Sequence, residues 1–297
     1  MSIKTAATLV ALAAGAARAQ GPEFYQHWGD GQAEVSSYRV VQPRYGQPRD
    51  GYAVLIYVTE DLNRKSLIKV ESPTPSEDRI YTLKLNHVLK FGTGIYDYSV
   101  MTSTFCAVEP LPDGRALEPV RISLTSQEWC GQVFEEVLLR GGKVRGYLNS
   151  YFEKEGRQEY ELDRPARFAA EDELLIRIRE LAGPIMEEGE QQTLTMMPSL
   201  WQLRLAHRPR ALEGGILAKG NAQQIEAGGQ AWAAVPWRWE IGARQHLAWV
   251  EQAYPHRILA WEDNQGGRGD LVASMRVPYW SLNHNEDAGY RARLGIP

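Results

Sequence analysis

The sequence lacks the patterns by which catalytic and cofactor-binding chains are usually recognised. It contains neither GxxxxGK[ST] nor GxGxxG, so it offers no phosphate-binding loop, and it has no GxSxG nucleophile elbow. Its two cysteines form no CxxC pair and its six histidines are scattered, so no metal or cofactor is expected. The formal net charge of -4 provides no basic field for nucleic acid. These absences give no positive sign of an enzyme, and we do not expect one.

Long apolar runs are also scarce, and the single notable run lies at the N-terminus. Lys4 precedes an uncharged stretch rich in Ala, Leu and Val, and Ala17-Arg18-Ala19 places small residues where a signal peptidase cuts. The sequence therefore predicts a signal peptide over residues 1–19, cut after Ala19, and a periplasmic or secreted protein; a short amphipathic N-terminal helix is the alternative. No other run approaches the ~18 apolar residues of a membrane-spanning helix, so the mature chain should have none.

Cysteine is rare, with Cys106 and Cys130 alone in the chain. In an exported protein these two could form a disulfide, since disulfides persist outside the cytoplasm. Two separate buried thiols are the alternative, because sequence spacing does not fix the geometry that a bridge needs.

The rings that are present are mostly amphipathic, with 9 Trp and 14 Tyr against 6 Phe, which suits half-buried sheet faces and cavity walls. Residues 52–58 (YAVLIYV) are almost wholly apolar, as in a strand covered on both faces. Further strands are predicted at close spacing, and Gly141-Gly142 fits a two-residue hairpin turn between two of them. The predicted strands of the first half are 35–42, 52–58, 80–91, 96–108, 120–125, 133–139 and 144–152.

One amphipathic helix is predicted in the middle of the chain, over residues 172–181, with Gly183-Pro184 ending it. Strand-rich sequence resumes near Thr193 and continues to Leu282. A helix flanked by strands favours a mainly β fold: an open, strongly curved antiparallel sheet, or half-barrel, with one or two packed helices. We expect residues 20–297 to form a single β-rich domain, with a possible subdivision near residues 187–192.

Four sequence motifs together resemble an uncharacterised family of exported bacterial proteins. They are Trp28–Glu34 (WGDGQAE), Gln42–Gly46 (QPRYG), Ser126–Gly131 (SQEWCG) and Tyr254–Glu262 (YPHRILAWE). The final hairpin also resembles domains related to outer-membrane lipoprotein carriers, which implies an open sheet around an apolar cavity plugged by helices. Similar sequences are sometimes labelled septum formation inhibitor, but the Ser-rich, Arg-containing loop and α/β pattern of that nucleotide pyrophosphatase family are missing here.

The unusual feature of the second half is its tryptophans, and they supply the candidate site residues. Trp237 and Trp239 are two apart, so on a strand both point to one face. Sheet core is one interpretation, and the wall of a cavity for an acyl chain or other apolar ligand is the other. The cavity candidates are Trp237, Trp239, Trp249, Trp261, Trp129 and Glu128.

Glu128 beside Trp129 allows two interpretations: a carboxylate whose proton affinity is raised by a dry aromatic wall, or a structural, hydrogen-bonded Glu. The function expected from these observations is an exported binding protein that carries an apolar, lipid-like small molecule. The alternative is an envelope structural or assembly factor that contacts a protein partner through an exposed strand edge.

Overall fold

The computed structural model describes residues 21–112 and 114–297, so the predicted signal peptide lies outside the described residues. The described residues form sixteen strands, four short α-helices and a few 3-10 turns. The helices are α1 (Pro22–Trp28), α2 (Leu174–Arg177), α3 (Leu200–Ala206) and α4 (Gly289–Arg293). The strands are β1 (Ala33–Arg44), β2 (Gln47–Asn63), β3 (Arg79–Thr93), β4 (Tyr96–Ala107), β5 (Glu118–Glu128), β6 (Gly131–Arg140), β7 (Lys143–Ser150), β8 (Arg157–Asp163), β9 (Phe168–Ala170), β10 (Gln191–Met197), β11 (Glu213–Lys219), β12 (Gln223–Ala227), β13 (Gln230–Ile241), β14 (Arg244–Glu251), β15 (Ile258–Asp263) and β16 (Arg268–Val277).

All sixteen strands belong to one open sheet, as the mainly β prediction requires. The order is β8-β7-β6-β5-β4-β3-β2-β1-β16-β15-β14-β13-β11-β10-β9, and β12 pairs with β13 beside this path. The two halves of the chain meet where β1 pairs antiparallel with β16, from Ala33↔Val277 to Val41↔Arg268. Every paired neighbour is antiparallel except β9 and β10. Residues 187–192 run directly into β10, so the strands on both sides of them share this sheet.

The sheet bends around a short segment that we call the plug, residues 171–183. In the plug, the Asp172 carbonyl accepts a hydrogen bond from Thr104 of β4 at 3.1 Å, while the adjacent Glu171 accepts one from Trp239 of β13 at 3.3 Å. Seven strand spacings separate β4 from β13, which is about 33 Å in a flat sheet. The sheet must therefore curve until both strands reach the same plug.

The two edge strands of the sheet, β8 and β9, are joined by a short linker. β8 ends at Asp163 and β9 begins at Phe168, so four residues lead from one edge to the other. An extended linker of this length spans at most about 18 Å. The curl thus leaves only a narrow opening where the two strands end.

Strand β2 confirms the prediction of a strand covered on both faces. Leu55 and Tyr57 point into the main core within the concave side. Val54 and Val58 point the other way, where Leu294 of the C-terminal segment covers them. The hairpin turn at Gly141-Gly142 is also as predicted, since φ is +57° and +72°, the left-handed values that a type I′ turn requires.

The predicted helix over residues 172–181 is wrong in extent. A 3-10 turn covers Glu171–Glu173, and α2 covers only Leu174–Arg177. The chain leaves helical geometry before Gly183 because Glu180 has a φ of +48° and Arg179 is committed to an ion pair with β1. The apolar residues Leu174, Ile178 and Leu181 are buried in the main core, as an amphipathic segment requires, but tertiary contacts shorten the helix.

Cys106 and Cys130 are free thiols, and only Cys106 is buried, whereas Cys130 is exposed, so the alternative of two buried thiols holds for Cys106 alone. Cys106 is paired with Pro119 near the start of β5, whereas Cys130 follows the end of β5. Eleven residues along a strand amount to about 36 Å, far beyond the ~7 Å limit between the Cα atoms of a disulfide. A disulfide between these two cysteines therefore does not form.

In the described part of the chain, no helix has the length and apolar character needed to cross a membrane.

Candidate functional site

A cavity of about 140 Å³ lies between the plug and the concave face of the sheet. Its apolar floor comes from β1, β3 and β4, through residues such as Val40, Leu85 and Val100. The plug and the start of α3 cover it, and β13 to β16 form the far wall. Arg268, whose side chain is 62% exposed, marks the place where the cavity meets solvent, at the β15–β16 turn. The curvature described above therefore creates a half-open site on the inner side of the sheet.

Two of the predicted tryptophans, Trp239 and Trp261, line this cavity. The Trp239 ring stacks on His246, with ring centroids 5.0 Å apart and planes 8° from parallel. The Trp261 ring lies across Gly269 on the neighbouring strand, where a Cβ would come within 2.2 Å of the indole. Glycine at this position lets the ring lie flat, 4.7 Å from the ring of Tyr38. The aromatic wall is thus held by stacking of Trp239 on His246 and by packing of Trp261 against Gly269 and Tyr38.

The other tryptophans of the second half lie elsewhere. Trp237 shares the inner face with Trp239, as their spacing predicts, but it is 1% exposed and fills the core beside Lys219. Trp249 alternates with Ala248 and Val250, which are buried inside, so it lies on the outer side of β14. Neither residue lines the cavity.

Trp129 and Glu128 are also outside the cavity, at the turn between β5 and β6. Trp129 is 71% exposed, and its nearest ring is that of Tyr96, at 6.4 Å between centroids. The Glu128 carboxylate accepts a hydrogen bond of 2.6 Å from the backbone N–H of Cys130. This bond closes the turn, which corresponds to the structural interpretation of Glu128.

Glu171 anchors the polar side of the cavity. Its carboxylate accepts hydrogen bonds from both terminal nitrogens of Arg244 and from the backbone N–H of Ser199, and His246 Nε2 lies 3.1 Å from Oε1. Burial alone would raise the pKa of Glu171, but the hydrogen bonds from His246 and Arg244 outweigh it and hold the pKa at about 2. Glu171 is therefore a fully ionised structural group that joins the plug to β14 and to the start of α3.

Asp172, the next residue, behaves in the opposite way. Burial raises its pKa to about 6, although the hydrogen bond that it accepts from the backbone N–H of Leu200, at 2.9 Å, favours the ionised form. The plug thus places two adjacent carboxyl groups at the cavity with pKa values on opposite sides of their ordinary range.

His87 is the polar group of the cavity that has no partner. It lies on β3 between Leu85 and Leu89, which share its face, and all three side chains line the cavity. Its Nε2 is buried and makes no hydrogen bond to any of the described residues. Burial lowers the pKa of His87 to about 4, so the imidazole is neutral near pH 7. A buried nitrogen without a partner costs free energy, and a bound molecule with a matching polar group would remove that cost.

The arrangement suits binding better than chemistry at a metal. Among residues 21–112 and 114–297, no group of three or more His, Cys, Asp or Glu side chains could hold a metal ion. An apolar floor, the three indoles of Trp201, Trp239 and Trp261, and one unpaired neutral imidazole instead match the usual form of a ligand pocket, apolar with a few placed polar groups. The volume is close to that of the ~150 Å³ cavity known to take up benzene, so one ring or the end of an alkyl chain fits.

Sequence reasoning missed His87, Asp172, Glu171 and His246 as a group. For His87 a signal existed, because Leu85 and Leu89 flank it at a spacing of two and so place it on an apolar strand face. No comparable signal in the sequence indicated that His87 of β3 and His246 of β14 line one cavity. The two strands are brought to the same sheet only by the pairing of β1 with β16. Comparisons of the chain with protein-family models, with curated proteins and with solved structures find no match.

Proposed function

We propose that this protein binds a small apolar molecule, or the apolar end of a lipid-like molecule, in the cavity on its concave sheet face. The observation that carries this proposal is a cavity with an apolar floor and an aromatic wall, lined by His87, whose buried Nε2 has no hydrogen-bond partner among the described residues. A protein gains no stability from such a group, whereas a ligand with a hydroxyl or other donor at its buried end would satisfy it. The leader-like residues 1–19 support binding in the periplasm or outside the cell.

The size of the cavity limits what part of a ligand is enclosed. With about 140 Å³, the space holds one six-membered ring or a few methylenes, and a longer chain must leave past Arg268. Each buried CH₂ contributes about 0.8 kcal/mol, so a few methylenes give weak, exchangeable binding. Such binding suits a carrier that must also release its ligand.

Toluene and phenol provide a test, because they have nearly the same shape and differ in a methyl and a hydroxyl group. Both should bind, as measured by titration calorimetry or by chemical shifts of the indole N–H groups. In the His87→Leu variant the preference should move toward toluene, because the hydroxyl loses its acceptor. His27→Leu is the matched control, since His27 Nε2 also lacks a partner but lies on α1, away from the cavity. The proposal is refuted if neither toluene nor phenol binds, or if the preference moves toward toluene equally in His87→Leu and His27→Leu.

Native mass spectrometry of the protein isolated from expressing cells addresses the natural ligand. A copurified apolar molecule, displaced by an excess of phenol, is the expected result. Spectra that are free of ligand, together with no phenol binding, would count against any cavity ligand.

The assembly-factor alternative depends on an exposed strand edge, and neither edge favours it. Edge strand β8 carries paired charges, with Arg145–Glu161 at 2.7 Å and Lys143–Asp163 at 2.6 Å. The opposite edge, β9, has only three residues, all buried. Charged or very short edges are the common means of preventing strand addition.

A further inference from the structure

Four consecutive hairpins present a large apolar side chain to solvent at the same end of the sheet. In an antiparallel succession, the turns β1–β2, β3–β4, β5–β6 and β7–β8 all lie at one end. The four exposed residues at or beside these turns, which we call the tip residues, are Tyr45, Ile95, Trp129 and Tyr151, with exposed fractions of 57%, 81%, 71% and 75%. A single exposed ring needs no explanation, but one on each of four successive tips is a pattern.

The strand spacing sets the distances within this row. Successive tips are two strands apart, about 9.6 Å along the sheet, and the whole row extends over roughly 29 Å. Tyr96 connects two of the tips, since its hydroxyl donates to Tyr45 and its ring lies 6.4 Å from that of Trp129, so the row forms a narrow strip rather than a broad patch. A protein interface usually has a broad, fully desolvated centre, which so narrow a strip does not provide.

Contacts behind the tips hold some of these rings in place. The Tyr45 hydroxyl lies 2.8 Å from that of Tyr98 and accepts a hydrogen bond from Tyr96 at 3.2 Å. The Arg44 guanidinium lies over the Tyr45 ring, 4.2 Å from its centroid. Rings that are fixed before binding lose little conformational freedom when they insert into another phase.

The distribution of charge separates the two ends of the sheet. The turns at Tyr45-Gly46, Gly94-Ile95 and Trp129-Cys130 contain no charged residue. The β7–β8 turn contains the exposed pair Glu153 and Lys154 and the buried Glu155, which pairs with Arg204. At the opposite end, the β2–β3 connection alone carries six charged residues: Arg64, Lys65, Lys69, Glu71, Glu77 and Asp78. The tip turns therefore have few exposed charges, and these cancel.

We propose that the tip residues dock the protein on a lipid–water interface of zwitterionic headgroups. Trp and Tyr are the residues that prefer this interface, because their rings are apolar on one side and polar on the other. Turns without net exposed charge match neutral headgroups and do not need the electrostatic attraction that polybasic segments obtain from anionic lipid. Insertion along a narrow strip of tips also fits a broad, fluid surface.

The docked orientation brings the cavity toward the same surface. Arg268, at the cavity opening, pairs with Val41, only a few residues before the β1–β2 turn. An apolar molecule could then pass between the lipid and the cavity over a short path. Docking itself is independent of the cavity, because none of the tip residues lines it.

Vesicle flotation tests the proposal with the protein as isolated from cells, its N-terminus read from the intact mass. The test variant is Ile95→Ser/Trp129→Ser/Tyr151→Ser, and the matched control is Ile68→Ser/Trp280→Ser, which removes an exposed aliphatic and an exposed Trp at the opposite end. All three proteins share one N-terminus, so any contribution from it cancels in the comparison. Equal far-ultraviolet circular dichroism shows that each is folded.

The wild type and the control should float with phosphatidylcholine vesicles, and the test variant should partition about tenfold less or worse. Brominated lipid should quench wild-type fluorescence more than that of Trp129→Phe. The proposal is overturned if the wild type does not float, if both multiple variants lose binding equally, or if only anionic vesicles bind. If the protein does not bind vesicles but still binds phenol, the docking proposal fails and the cavity proposal stands. If it binds vesicles but not phenol, the cavity proposal fails and the docking proposal stands.

Discussion

Replacing Arg179 by methionine should destabilise the protein by about 3–5 kcal/mol, because it leaves a carboxylate buried without its partner. The Arg179 guanidinium donates two hydrogen bonds to Glu34, at 2.9 and 2.8 Å, and two to the Pro255 carbonyl, at 2.7 and 3.2 Å. The two side chains are 0% and 2% exposed, so water cannot replace the lost contacts. The guanidinium also lies 4.2 Å from the centroid of the Tyr57 ring, a contact that methionine replaces only in part.

Urea unfolding followed by tryptophan fluorescence measures this loss. Arg177→Met is the matched control, from the same plug: its guanidinium lies 3.6 Å from Glu173, which keeps Arg115 as a second partner. We expect the control to lower the free energy of unfolding by clearly less than Arg179→Met, because two buried nitrogens of Arg177 make no hydrogen bond to the described residues and Glu173 is not left without a partner.

The double variant Arg179→Met/Glu34→Leu separates two costs in the free energy of unfolding: the loss of the ion pair, and the burial of the Glu34 carboxylate without a partner. Because no buried carboxylate remains without a partner, the double variant should be more stable than Arg179→Met alone. If Arg179→Met costs no more than the control, or if the two substitutions destabilise additively, the plug is not held to β1 by this ion pair.

Two further predictions concern titration and thiol chemistry. In the folded state the pKa of Asp172 is raised to about 6, so its contribution to stability falls as the pH rises from about 4 to 6, by about 3 kcal/mol in all; Asp172→Asn should remove this slope in urea unfolding. The pKa of Glu171 is lowered to about 2, so its contribution is complete above pH 4.5 and is lost as the pH falls toward 2; Glu171→Gln should remove that slope instead, and equal slopes in both variants would contradict the assignment. A thiol reagent at mildly alkaline pH should label Cys130 in the native protein and Cys106 only after denaturation, whereas a native protein with no reactive thiol would indicate a bridge.

The local part of the fold was predictable because it depends on neighbours in the sequence. The apolar run at residues 52–58 and the two glycines at 141–142 each determine structure within a few residues, through strand burial and turn geometry. The helix after Asp172 was predicted too long, because the ion pair of Arg179 with Glu34 depends on a strand 145 positions away. Sequence periodicity contains no information about such a partner.

The candidate site was predictable only in its aromatic part. The alternation of Trp237 and Trp239 does place both rings on the inner face, but only the sheet order shows that one fills the core and the other lines the cavity. His87 and Trp261 meet at 5.9 Å between ring centroids although 174 residues separate them in the chain. That contact arises from the pairing of β1 with β16 and from the curvature around the plug, which are properties of the whole sheet.

The most direct measurement is a crystal structure determined under xenon pressure, because xenon enters dry apolar cavities and gives strong density. We expect a xenon atom on the concave face, bounded by Leu85, Leu89 and Trp261. A space without xenon, filled instead by side chains or by ordered water bonded to His87, would contradict an apolar binding cavity at this place.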